Sequence, residues 1–122
     1  MAIKRRPRVF IAQEPMRKDA NGRWVSKGLD IASANEYGEI IIIWGPESSI
    51  MSRNYMEAEA LKAADAYDEL NDYVVALGSP TLISILAWAI GSRGKMLRVL
   101  EWDRSMQRYY PTLGASLDDI VT

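Results

Sequence analysis

Residues 40–44 read Ile40-Ile41-Ile42-Ile43-Trp44, with Gly38 before them and Gly45-Pro46 after. An unbroken β-branched row is at ease in an extended backbone, and a strand apolar on both faces belongs in the middle of a parallel sheet, covered on each side. Downstream the period changes. From about Asn54 to Tyr67, helical spacing gathers Met56, Ala60, Ala63, Ala64 and Tyr67 on one stripe and turns Lys62 and Asp65 outward, with Leu61 off the stripe. Asn54 and Glu57 have capping-box spacing, and Ser52 is a competing start.

Beyond a polar loop at 68–72, Tyr73-Val74-Val75-Ala76-Leu77 reads as the next strand, ended by Gly78. Ser79-Pro80 opens a second helix that reaches about Ser92, since serine can accept early N–H bonds and proline fits the first turn. Leu82, Ile83, Ile85, Leu86, Trp88 and Ile90 make that helix apolar nearly all round, so it should be buried on more than one side, with Gly91 and Gly94 as its stop. Met96 to Trp102 makes a further strand. Strand, helix, strand, helix, strand is two βαβ units, whose crossovers should be right-handed.

Upstream, Arg8 to Gln13 is a strand that Pro15 bends or confines to an edge. Asn21-Gly22, between Met16-Arg17-Lys18 and Arg23-Trp24-Val25, signals a tight hairpin in which both turn residues take positive φ. Leu29–Tyr37 is ambiguous; Asp30 could cap a short helical turn ended by Gly38. At the other end Asp103–Gln107 reads as a hairpin loop returning through Arg108-Tyr109-Tyr110. The expected fold class is α/β: a small, mostly parallel, Rossmann-like sheet built from two βαβ units, with antiparallel β-hairpins near both termini. Residues 1–122 are expected to form a single domain, with 1–7 a flexible basic arm and 114–122 a loose tail.

Composition narrows the chemistry. The chain has no Cys and no His, which removes thiolate and imidazole nucleophiles, bases and zinc ligands and leaves carboxylates, Lys, Tyr and hydroxyls. No apolar stretch reaches the length of a membrane span, and Met1–Arg6 is not followed by the apolar core of a signal peptide, so a cytoplasmic protein is the simplest expectation. The formal net charge is −1, but it is unevenly spread: residues 1–27 hold eight Lys/Arg and two acids, whereas residues 28–80 hold two and ten.

In an open α/β sheet, ligands gather outside the carboxyl ends of the strands. That rim would carry Trp44, Glu47, Ser48 and Ser49, then Ser79 and Thr81, then Trp102, Asp103 and Arg104. Helix N-termini there would face an anion, indoles could stack on a base and Arg104 could pair with phosphate. Against this, Ser-Pro is simply a good helix start, Pro80 lacks a donor, and neither a P-loop nor a G-x-G-x-x-G is present.

A second grouping mixes cations and aromatics at the hairpins as single-strand binders do: Arg17, Lys18, Arg23 and Trp24, then Arg98, Arg104, Arg108, Tyr109 and Tyr110. Its plainer reading is a set of solvated strand faces, favoured by the net charge of −1. Asp65, Asp68, Glu69 and Asp72 match no cation-binding loop and read as solvated. Two helices are few for a strand apolar on both faces, and four Trp with six Tyr would suit a subunit contact, so a homodimer is expected. The function expected is a small non-enzymatic binding protein, without metal or cofactor, that holds a protein partner or a small anionic ligand such as a nucleotide at the strand-end rim. The alternative is a nucleic-acid-associated accessory protein using the basic aromatic hairpins. A carboxylate hydrolase around Glu47, Asp103 and Ser79 comes third.

Overall fold

The structure, a computed structural model, describes residues 5–26, 31–46 and 52–113. In chain order these form β1 (Arg8–Gln13), β2 (Met16–Lys18), β3 (Trp24–Ser26), a 3-10 helix (Ala32–Glu36), β4 (Glu39–Trp44), α1 (Arg53–Ala66), β5 (Tyr73–Val75), α2 (Pro80–Ser92), β6 (Val99–Asp103) and β7 (Arg108–Leu113). β2 and β3 pair by themselves as an antiparallel ribbon. The other strands make one sheet in the order β4-β1-β5-β6-β7, parallel throughout except for the β6–β7 hairpin. The protein is thus mixed α/β with a mostly parallel sheet and hairpins toward both ends, as expected.

The place of the isoleucine run is not as expected. β4 lies at an edge, not in the centre; β1 takes the inner position, and all four of its central residues Val9, Phe10, Ile11 and Ala12 are buried. A row of β-branched residues states that a strand forms, but the order of strands follows from pairings made between distant segments. β4 is accordingly only part covered, with Ile42 42% exposed.

Alternation along β1 sends its residues to two cores. Phe10 and Ala12 join Val74, Ala60, Ala64, Leu82, Leu86 and Ile90 under α1 and α2, whereas Val9 and Ile11 join Val75, Leu100, Tyr109 and, from the 3-10 helix, Ile31 and Ala34 on the opposite face. Both long helices therefore cover one face, and among the described residues a short 3-10 turn and aromatic side chains from β7 and its neighbours pack on the other. Fully buried Leu86 illustrates the energetics: truncation to Ala removes transfer energy and leaves a cavity, about 2–5 kcal/mol.

Element ends differ from expectation where side chains intervene. Ser52, not Asn54, caps α1, its hydroxyl accepting the Tyr55 N–H at 3.2 Å. Lys95 Nζ donates to the Ala64 and Tyr67 carbonyls at 2.8 and 2.7 Å, neutralising the negative C-terminal end of the same helix. At α2, Ser79 occupies the N-cap position without a side-chain cap bond, and Trp88 is 50% exposed, so this helix is less enclosed than its composition implied. β5 stops at Val75 because the Leu77 N–H turns back onto the Val75 carbonyl at 2.9 Å. β6 starts late, at Val99, because residues 96–98 are claimed by Tyr67 and Glu69: the Tyr67 hydroxyl donates to Met96 O and accepts from the Arg98 N–H, and Glu69 accepts the Met96 N–H. In the β2–β3 ribbon only Gly22 takes positive φ, at +78°. The loop runs longer than two residues because Asp19 Oδ1 captures the N–H groups of both Asn21 and Arg23 at 2.9 Å.

The acidic loop is also not uniformly solvated. Asp72 is completely buried and fully partnered: Arg5 meets both its oxygens, and the Arg8 and Asp68 N–H groups donate to it at 2.8 Å each. It ties the chain before β1 to the entrance of β5. Arg6 bonds Asn35, so within the expected basic arm both Arg5 and Arg6 are anchored; residues 1–4 and the expected tail at 114–122 lie outside the described residues. Among the described residues no helix is long and apolar enough to cross a membrane.

Candidate functional site

The parallel strands all end at the same rim, and the chain leaves that rim in different directions. β1 and β5 are neighbours, yet the chain goes from β1 to the β4 edge and from β5 toward β6. Where two such connections part, the strand ends leave a crevice. A hollow of about 330 Å³ lies there, bounded by Gln13, Met16, Trp24, Pro46, Gly78 and Ser79. Its floor is the Gln13 amide: Nε2 donates to Gly45 O at 2.9 Å, and Oε1 accepts the Ser79 N–H at 3.1 Å. The Ser79 N–H, one of the donors at the start of α2, is therefore already taken. Gly78 is required for this closure, since at φ +112° a Cβ would stand 2.4 Å from Gln13 Cβ.

A larger hollow, about 470 Å³, opens beside it on the face away from the helices. Val75, Leu77, Leu100 and Tyr109 give it apolar walls, half-buried Trp102 lies along it, and exposed Arg104 and Glu101 are its charged members. Trp102 is held edge-to-face on the buried Tyr109 ring, centroids 5.1 Å apart, and the Tyr37 hydroxyl donates to the Tyr109 carbonyl at 2.9 Å. The indole thus has a packed aromatic neighbour on one side.

The residues expected at the rim separate into groups. Trp102 and Arg104 line the large hollow and Ser79 lines the smaller one. Thr81 sits elsewhere, in a groove between α1 and α2 with Met56, Ile85 and Trp88. Trp44 is 2% exposed and packed among the helix-side core, so it offers no free stacking face, and its Nε1 has no acceptor among the described residues. Asp103 is occupied in its own turn: Oδ1 accepts from the Ser105 hydroxyl and from the Ser105 and Met106 N–H groups. The Ser105 hydroxyl, with that backbone support, holds its carboxyl below the usual aspartate value. Glu47, Ser48 and Ser49 lie outside the described residues. Sequence reasoning missed Leu77, Leu100 and Glu101, the first two because they read as ordinary strand residues.

Of the hairpin grouping, Arg17, Lys18, Arg23, Arg108 and Tyr110 are exposed, and Lys18 Nζ stands 5.2 Å from the Trp24 ring centroid. Tyr109 is 3% exposed and cannot stack on a base, and Arg98 lies over the Tyr73 ring at 4.0 Å. The described residues contain no group of His, Cys, Asp or Glu able to hold a metal ion.

No curated protein and no solved structure matches this chain. A family model does match, over residues 7–114, which takes in the whole five-stranded sheet and both helices. The chain belongs to the phage Pam3 gp32-like protein family.

Proposed function

We propose that this protein is a small, non-enzymatic binding protein that holds a flat, anionic small molecule, of which a nucleotide is the representative class, in the hollow between the ends of β5 and β6. The supporting observation is the pairing of a half-buried Trp102 and apolar walls with Arg104, inside a hollow of about 470 Å³. That volume lies in the range of small-ligand pockets, and apolar walls with few polar groups are their usual lining. A ring lying along Trp102 gains stacking, Arg104 offers a fork of donors to phosphate or carboxylate, and Glu101 can accept from an amine or hydroxyl. The Rossmann-like reading of the sheet, with right-handed crossovers from β4 to β5 and from β5 to β6, agrees with a ligand at this end.

Isothermal titration against a nucleotide panel tests the proposal. Binding that weakens about tenfold or more with Arg104→Glu and with Trp102→Ala supports it, since each change removes on the order of 1.4 kcal/mol or more. Silence across the panel rejects the nucleotide class. The nucleic-acid reading rests on the exposed Arg17, Lys18, Arg23, Arg104, Arg108 and Tyr110, and it predicts salt-sensitive retention on single-stranded DNA that Arg23→Glu and Arg108→Glu reduce.

A further inference from the structure

The two edges of the main sheet are unlike. β7 carries Arg108 and Pro111, and a proline on an edge strand blocks pairing with a further chain. β4 reads Glu-Ile-Ile-Ile-Ile-Trp, without proline or lysine, and its parallel register with β1 holds from Glu39 to Trp44. Ile42 is 42% exposed, and a groove of about 280 Å³ separates Ile41, Ile42 and Ile43 from the Glu59, Lys62 and Ala63 flank of α1. Among the described residues β4 has no strand on its other side, and an apolar edge of this kind is a template for strand addition.

We propose that β4 pairs antiparallel with the β4 of a second copy, continuing the sheet across a two-fold axis. Two constraints set the register. Glu39 donates its N–H to Pro7 O, so the odd-numbered residues of β4 direct their backbone groups toward β1, and the Gly45 carbonyl, held by Gln13, keeps the same parity. Ile40, Ile42 and Trp44 therefore direct theirs to the open edge. A two-fold axis normal to the sheet keeps both pairs of helices on one face, so Ile41 and Ile43, which pack toward the helices, must meet the partner's Ile41 or the partner's Ile43. Both conditions are met with Ile42 opposite the partner's Ile42 and Ile41 opposite the partner's Ile43, while Trp44, whose indole is turned into the helix-side core, lies outside this paired stretch. The outward N–H and C=O of Ile42 then exchange hydrogen bonds with those of the partner's Ile42.

Charge favours a second copy over a different occupant. Glu59 and Lys62 both flank the groove, and neither makes an ion pair among the described residues. The two-fold runs α1 antiparallel to its counterpart, so each Glu59 is directed toward the partner's Lys62. The surface is complementary to itself, as an isologous contact requires.

Sedimentation velocity of the full chain across a concentration series reads the outcome. The expected species has twice the 13.7 kDa chain mass. Ile42→Lys, at an exposed position, should weaken it about tenfold or more. Glu59→Lys should weaken it severalfold, and adding Lys62→Glu should restore it, a readout that stands even if Ile42→Lys perturbs folding. A monomer at the highest concentration reached overturns the proposal, and so does a dimer indifferent to both Ile42→Lys and Glu59→Lys.

Discussion

Asp72 shows how one residue can hold two distant segments. Its carboxylate has no exposure and four donors, from Arg5, Arg8 and Asp68, so removing it strands two backbone N–H groups and a guanidinium that is itself only 36% exposed. Asp72→Ala should therefore lower unfolding free energy by roughly 3–5 kcal/mol, the usual cost of breaking a buried pair from one side, as read by urea denaturation. Tyr67 makes a pH-dependent contribution. Burial pushes its phenol above the ordinary value of 10.0, opposed by the Arg98 N–H bond. A group whose folded pKa is raised stabilises the fold fully below its unfolded pKa and loses that contribution as pH rises through the folded value. Thermal melts should fall off above about pH 10. Tyr67→Phe should melt lower at neutral pH, by about 1–3 kcal/mol of lost hydrogen bonding, but with a shallower alkaline decline. Gly78→Ala should cost stability too, because its Cβ would collide with Gln13 at a backbone angle alanine resists. A melting temperature equal to the wild type would contradict the closed floor of the smaller hollow.

At the scale of elements, local sequence was a good guide wherever local forces decide. β1 spans Arg8–Gln13 as its apolar run implies, and α1 and α2 begin and end within a residue or so of their apolar stripes and caps. Prediction failed where the deciding contact is remote in sequence. The isoleucine row looks central from its composition, but its edge position depends on β1 pairing with both β4 and β5. Asp72 looks like one more acid in a polar loop until Arg5, 67 residues away, is brought to it. The site was legible in the same proportion: Trp102 and Arg104 follow from lying at the end of a strand and just past it, whereas the walls at Leu77 and Leu100 emerge only when the strands assemble. Lys95 makes a corresponding element-level prediction. Lys95→Met should destabilise by about 0.5–2 kcal/mol through the lost α1 carbonyl bonds, with the far-UV spectrum unchanged in shape.

The whole molecule is lopsided, and its proposed activities follow from that. Among the described residues two long helices cover one face of the sheet, while a short 3-10 turn and a few aromatic rings pack on the other, where the hollow at the ends of β5 and β6 lies. One edge is guarded by Pro111 and the other is an apolar strand. The open hollow and the open edge lie at different parts of the sheet, so ligand binding and self-pairing should be separable by mutation. Mapping amide and indole chemical shifts of isotope-labelled protein during titration with the tightest-binding nucleotide is the most direct check on the hollow. The account predicts that the largest changes fall on Leu77, Leu100, the Trp102 indole and Arg104; changes centred on the α1–α2 groove around Trp88, or none at saturating nucleotide, would contradict it.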